Sequence, residues 1–292
     1  MSLAGRVAIV TGAGGGLGRA HARYLAGQGA QVVVNDVAPD AAEKGAAEIV
    51  SAGGQAMAIG GSVTDEADVS ALVQRTMQAW GRIDILVNNA GILRDKSFAK
   101  MSLDDFRLVV EVHLMGAVIF SKAVWEIMRA QGYGRIVMTT SSSGLYGNFG
   151  QANYGAAKAS LVGLMKTLAI EGARDNIKVN AICPVAGTRM TENLMPPEML
   201  EAIKPEYVTP AVVFMASEDA PTGIIISAGA GAFSSSQIVE SPGVNLGHAA
   251  SADDVAANWD KISDFTGSKH YTMGGEHSAH FFELMKNKPI VG

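Results

Sequence analysis

The sequence predicts an α/β fold: a doubly wound, mostly parallel seven-stranded sheet with helices on both faces, followed by a C-terminal helical extension. Three observations carry this reading. Short β-branched apolar runs alternate with longer segments whose apolar residues recur at helical spacing. The runs are continuously apolar, as strands covered on both faces are. A glycine-rich turn joins the first run to the first helical segment. Right-handed crossovers then place a ligand crevice at the carboxyl ends of the strands.

In chain order, strands are expected at residues 7–10, 32–34, 56–59, 85–87, 136–138 and 179–182, with a seventh at 223–228. Helices are expected between them at 17–29, 40–52, 65–81, 103–131 and 153–174. Beyond residue 230 the chain changes character: 230–251 is rich in Gly and Ser, a helical piece covers 253–265, and a last short helix lies near 277–286. The expected organisation is one domain over 1–230 and an extension over 231–292, packed on that domain or on a partner subunit.

Of the 292 residues 48% are hydrophobic and 17% charged, with 34 Gly and one Cys. That is too apolar for disorder and too poor in charge for an average domain, which carries about 25%. Cys183 alone can form no internal disulfide. The net charge of −5 excludes a general nucleic-acid binder. No run reaches the 18 or so unbroken apolar residues of a membrane span. The N-terminus does not read as a secretory signal nor the C-terminus as a peroxisomal one, so a cytoplasmic protein is expected.

Thr11-Gly-Ala-Gly-Gly-Gly-Leu-Gly18 sits between strand and helix. Glycines there permit a tight turn, and bare amides at the helix N-terminus suit a pyrophosphate. A glycine-rich turn alone is a weak signal. It gains weight from Asp36 at the end of the second strand, placed to hold adenosine ribose hydroxyls and repel a 2′-phosphate. No Arg or Lys lies within 12–18 to receive such a phosphate, so the expected cofactor is NAD. Tyr154 and Lys158, four apart on a helix, share a face. An ammonium there favours the phenolate, which predicts a lowered Tyr pKa suited to general-base work. Taken singly, Ser141 reads as a turn residue, Tyr154 as a structural aromatic and Lys158 as a surface charge; only their joint spacing points to catalysis.

The Thr-Gly-x-x-x-Gly-x-Gly spacing, Asn88-Asn-Ala-Gly91 after the fourth strand, and Tyr154-Gly-Ala-Ala-Lys158 with Ser141 thirteen residues before the Tyr together resemble the short-chain dehydrogenase/reductase family. The matches extend from Arg6 to about residue 190. The resemblance implies a Rossmann-type NAD enzyme in which Tyr154 exchanges the hydroxyl proton, Lys158 also holds the nicotinamide ribose, and Ser141 orients the substrate. It implies cofactor contacts from Gly12, Gly16, Leu17, Gly18, Asp36, Asn89, Ala90 and Gly91, and from Pro184 and Thr188 near the nicotinamide amide; no metal is implied. Two positions depart from the usual pattern. His113 stands in His113-Leu-Met-Gly116 where an Asn of a proton relay is common; it serves either in the relay or as a satisfied core histidine. Ser62 precedes Val63 where many members carry an adenine-binding Asp, leaving the adenine to Ser62, Val63 or backbone.

Within the family, residues 88–95, 97–99, 146–154, 168–172, 189–191 and 204–207 resemble the dehydrogenase unit of peroxisomal multifunctional enzyme type 2, as does Asn258-Trp259 with Asp264-Phe265 in the extension. That resemblance implies oxidation of (3R)-3-hydroxyacyl-CoA to 3-ketoacyl-CoA by a stand-alone relative. Met195, Met199 and Leu200 line an acyl channel or simply pack, and Lys96, Lys100 and Arg189 are candidates for the rim cations that CoA phosphates would want. A dehydrogenase of a free steroid or other secondary alcohol, and a silent NAD-binding scaffold, are the competing readings. The family's habit of pairing through its fourth and fifth helices implies a homodimer or homotetramer.

Overall fold

The computed structural model describes residues 1–187 and 197–290 and forms two compact units, Met1–Ser235 and Ser236–Gly292. The first unit begins with β1 (Val7–Val10), α1 (Gly16–Gly27), β2 (Gln31–Asp36), α2 (Pro39–Ser51), β3 (Gln55–Gly60), α3 (Glu66–Trp80) and β4 (Ile85–Asn88). It continues through α4 (Leu103–Val110), a π turn (Glu111–Met115), α5 (Gly116–Gln131), β5 (Gly134–Thr139), α6 (Ser142–Tyr146), α7 (Ala152–Glu171) and β6 (Ile177–Pro184). After residues outside the described set come α8 (Pro197–Ala202), α9 (Thr209–Ala216), β7 (Ile225–Gly229) and β8 (Ala232–Ser236). The sheet order is β3-β2-β1-β4-β5-β6-β7-β8, with parallel pairing from β3 to β7.

The sheet therefore has eight strands, not seven. Ala230 and Gly231 both have positive φ, 51° and 75°, as a two-residue hairpin turn needs. They return the chain as β8, an edge strand whose residues stay at least partly exposed. A Ser-rich strand facing water on its outer side carries no apolar run to announce it.

Adjacent strand residues feed opposite layers. Val10, Val32, Val34 and Val87 pack with α1, α2 and α9. Ile9, Val33, Leu86 and Met138 pack with residues of α3, α5 and α7. This two-sided covering explains the unbroken apolarity of the strands. The helix expected over 103–131 is present as one continuous run, with a π turn at Glu111–Met115 within it. By length and composition Leu103–Gln131 is apolar enough to cross a membrane, yet α5 packs on β4 and β5, and 39% of the apolar window is buried within the chain.

The second unit holds α10 (Ala252–Ala257), α11 (Trp259–Ile262) and α12 (Gly274–Lys286). The helix expected over 253–265 is split at Asn258. Ser251 and Asp254 form a capping box on α10, and Glu240 bridges Lys269 in antiparallel fashion. None of the described residues of this unit is buried; Trp259 and Phe282 stay exposed.

Candidate active site

The carboxyl ends of β1 and β4 are knitted by side chains from the two sequence motifs. The Asn89 and Ala90 amides both donate to Thr11 Oγ1 at 3.0 Å, while Asn89 Nδ2 donates to the Thr11 and Gly12 carbonyls at 2.9 and 3.2 Å. A Cβ at Gly12 would lie 2.8 Å from Ala90 Cα, and one at Gly18 would lie 2.6 Å from Asn89 Nδ2, so both positions demand glycine. Gly16 adopts φ 53°. Leu17 packs into the core layer above. The N-cap of α1, Gly15, makes no side-chain cap, and the first turn holds no acidic residue. The helix thus presents uncapped amides at its positive end, where a phosphate fits.

Asp36 stands beside this turn. Its Oδ2 accepts from the Gly14 amide and its Oδ1 from the Ala38 amide, each at 3.0 Å. A carboxylate so held keeps lone pairs for further donors. Arg19, just after the turn, is engaged with Glu48. Ser62 Oγ is shared with Thr64 Oγ1 at 2.9 Å and the Ser62 amide donates to Asp68 Oδ2 at 2.8 Å, while Val63 packs where a Cβ on Gly116 would come within 2.6 Å of it. These features fit a dinucleotide cradle.

Ser141, Tyr154 and Lys158 are brought together as expected. Ser141 is the extended N-cap of α6, its Oγ accepting from the Ser143 amide at 3.2 Å, and its hydroxyl favours the Tyr154 phenolate. Tyr154 lies in the first turn of α7; one turn on, Lys158 is buried, with Nζ donating to the Thr139 carbonyl at 2.6 Å. Lys158 Nζ lies 5.6 Å from the Tyr154 ring centre. A Cβ on Gly144 would come within 2.7 Å of Lys158 Cβ, so α6 sits directly against α7.

The expected lowering of the Tyr154 pKa is not what this geometry produces. Burial raises it, the Ser141 hydrogen bond opposes that, and the charge of Asp95 adds to the rise. The partner ammonium is itself weakened: burial brings Lys158 down to about 7. Desolvation is the largest cause at both groups, because each is taken out of water.

His113 projects from the π turn, its ring 5.3 Å from that of Tyr154 in an edge-on arrangement. Nε2 meets the Ile92 carbonyl at 2.8 Å and the Ile92 amide at 3.1 Å. The shorter bond selects the Nε2–H tautomer and leaves Nδ1 as a buried acceptor without a partner among the described residues. Burial holds this imidazole neutral, with its pKa down at about 3. A cavity of about 10 Å³, room for one water, is lined by Thr11, Asn88, His113 and Lys158.

Pro184 ends β6, whose continuation pairs through the Val185 amide with the Ala228 carbonyl. Thr188, Arg189 and Met195 lie outside the described residues. Met199 is exposed and Leu200 packs near Gly187. Lys96 pairs with Asp105 at 3.5 Å and Lys100 is exposed. Sequence reasoning singled out neither Thr11 as a clamp nor Asn153, which is fully buried and donates to the Arg94 carbonyl at 3.1 Å. Thr11 opens the glycine motif and was legible there; Asn153 carries no spacing signal.

Residues 6–198 match the short chain dehydrogenase family. The chain belongs to this family, whose cofactor class is NAD(P), and is an oxidoreductase acting on CH–OH groups. It is 46% identical over 275 residues to peroxisomal multifunctional enzyme type 2 from Mus musculus, an alignment covering 90% of this chain and 37% of the mouse protein. It is 45% identical over 274 residues to a short-chain type dehydrogenase/reductase from Mycobacterium tuberculosis, covering 90% of this chain and 96% of that one. The structure of the full-length type 2 enzyme from Drosophila melanogaster superposes with a TM-score of 0.85 at 38% identity, covering 98% of this chain and 50% of the fly chain. The chain thus spans half or less of these two multifunctional relatives.

Proposed function

We propose that this chain is an NAD-dependent dehydrogenase/reductase interconverting (3R)-3-hydroxyacyl-CoA and 3-ketoacyl-CoA. The observation that carries the reaction class is the meeting of Ser141, Tyr154 and Lys158 beside the glycine cradle. The cofactor, when bound, supplies the hydride acceptor or donor. Gly12, Gly16, Gly18 and the α1 amides would hold its pyrophosphate, Asp36 its adenosine ribose, and Lys158 its nicotinamide ribose. Preference for NAD is supported by Asp36 beside the turn and by Arg19 being spent on Glu48.

In the oxidising direction Ser141 Oγ holds the substrate oxygen and Tyr154 Oη receives its proton. A buried, protonated Tyr154 suits the reverse direction, as donor to the ketone oxygen. Lys158, brought down to about 7 by burial, would exchange a proton near neutral pH, and the small cavity that it lines together with His113 would hold one water. On this reading His113, held neutral, serves the relay as an acceptor for that water and does not itself take the proton. The substrate class is supported by likeness to the type 2 multifunctional enzyme over 90% of this chain and by the resemblance of the loops at 88–99 and 146–154 to its dehydrogenase unit. Those loops, joined by the Lys96 amide and the Gly150 carbonyl at 2.9 Å, carry exposed Phe98 and Phe149 that suit an apolar acyl chain.

The test follows NADH formation with (3R)- and (3S)-3-hydroxyacyl-CoA, the matching free alcohols and a steroid alcohol, with NAD or NADP. Turnover of the R thioester with NAD is expected, falling about 10³-fold in Tyr154→Phe. No turnover of the R isomer at any chain length overturns the substrate reading, and an unaltered rate in Tyr154→Phe overturns the catalytic one.

A further inference from the structure

Asn153, next to the catalytic tyrosine, is fully buried and answers two backbone groups at once. Its Oδ1 accepts from the Tyr154 amide at 2.7 Å, and its Nδ2 donates to the Arg94 carbonyl at 3.1 Å. The first bond stands in for a missing cap. Tyr154 is the third residue of α7, where an amide has no carbonyl inside the helix to reach, and the N-cap Gln151 makes no side-chain cap. The second bond crosses to the loop after β4.

Two residues back along that loop, Ile92 holds His113 Nε2 through its carbonyl at 2.8 Å and its amide at 3.1 Å. The His113 ring then lies edge-on against Tyr154 at 5.3 Å. The path from Tyr154 through Asn153, Arg94, Ile92 and His113 therefore closes on Tyr154 again. Both partners of Asn153 are backbone groups of fixed direction, a donor on one side and an acceptor on the other. A side chain in this place must accept and donate together, which an amide does, a carboxylate does only by half, and a methyl not at all. The same two segments are also tied at the exposed residues Asp95 and Lys96, by Gln151 Nε2 at 2.7 Å and by the Gly150 carbonyl at 2.9 Å. Loss of the Asn153 bridge thus leaves the loop attached and frees only its inner edge, beside the phenol.

We propose that Asn153 is a positioning residue for the reaction: by fixing the loop after β4 against the first turn of α7, it holds the Tyr154 phenol and the His113 ring in register. This rests on the catalytic reading of Tyr154 given above. Proton exchange through the phenol needs hydrogen-bond reach to the substrate oxygen, and a misplacement of about 1 Å costs up to about 10²-fold in rate.

The experiment compares Asn153→Ala, Asn153→Asp and Tyr154→Phe with the full wild-type chain, using the secondary alcohol it turns over best and temperatures below the onset of each melt. Asn153→Ala is expected to lower kcat about tenfold, with KM for the cofactor unchanged. It should also move the His113 ring resonances, which the Tyr154 ring current shifts, in spectra of protein carrying isotope-labelled histidine. Asn153→Asp supplies a rescue by protonation. Ionised, it still accepts from the Tyr154 amide but turns an oxygen toward the Arg94 carbonyl; protonated, its O–H donates there and restores the bridge. Burial holds such a carboxyl above its ordinary range, so the ratio of this variant's kcat to that of wild type should rise as pH is lowered from about 8 toward about 5.5. A residue serving stability alone produces no such rise. A folded Asn153→Ala enzyme within threefold of wild type overturns the proposal, and so does a fall in kcat with the His113 resonances unmoved. If Asn153→Ala fails to fold, Asn153→Asp decides, and a flat ratio across that range overturns the proposal. If Tyr154→Phe is inactive while Asn153→Ala is normal, only this proposal falls; if Tyr154→Phe stays active, the catalytic reading falls first.

Discussion

Gly91 shows how tightly single positions are specified around the reacting groups. A Cβ there would fall into the His113 ring, 2.8 Å from Nδ1 and 3.0 Å from Nε2. The ring cannot retreat freely, because Nε2 is tied to Ile92 and the far edge faces Tyr154. Gly91→Ala is therefore expected to displace the imidazole, with a loss of about 1–3 kcal/mol typical of overpacking and at least a tenfold fall in kcat. Thermal melts and steady-state rates check this; a melting temperature and kcat equal to wild type would show that His113 has room the structure does not provide. The same neighbourhood shows where residue-level reasoning stopped. Spacing placed Tyr154 and Lys158 on one face, but their proton affinities depend on burial, and burial is a property of α6, α7 and β6 together.

At the scale of elements, what could be read from the chain was periodic. The strands from β1 to β7 announce themselves because they are apolar on both faces, and α1 to α3 because their buried residues recur at helical spacing. The π turn could not be read, since a shift from i+4 to i+5 bonding leaves no mark in composition. Neither could the meeting of Asp95 with Gln151, 56 residues apart, which exists only once two loops face each other. β8 was missed for a third reason: its turn uses Ala230 in the left-handed region, where Gly or Asn is usual. That choice makes a prediction. Ala230→Gly removes a steric cost of about 1 kcal/mol from the folded hairpin, partly offset by greater freedom in the unfolded chain. Chemical denaturation should show Ala230→Gly at least as stable as wild type, whereas Ala230→Val should be less stable; the reverse order would mean the turn is not left-handed in solution.

Across the whole molecule, buried bases make stability depend on pH in one direction. His21 on α1 is fully buried, bonded through Nδ1 to Thr209 Oγ1 on α9 at 3.0 Å, and its pKa is brought down to about 3. His113 is brought down to about 3 as well. In the unfolded chain both return to about 6.5. Above that pH neither state binds the proton and nothing is lost. As pH falls from 6.5 toward 3 the unfolded chain takes up two protons that the folded one refuses, so stability drops by about 1.4 kcal/mol per histidine per pH unit. Lys158 acts in the same sense at higher pH: with a folded value of about 7, it lets stability rise as pH climbs from 7 toward its ordinary 10.5. Urea unfolding at intervals between pH 6.5 and 5, above the range where most carboxylates titrate, should therefore show a loss toward acid that steepens to about 2.7 kcal/mol per unit near pH 5 from the two histidines. His21→Gln keeps a side chain able to bond Thr209 but cannot titrate, and it should halve the slope. A slope unchanged in that variant would mean that His21 opens to water and takes its proton without unfolding, and that the α1–α9 contact is looser than the structure shows.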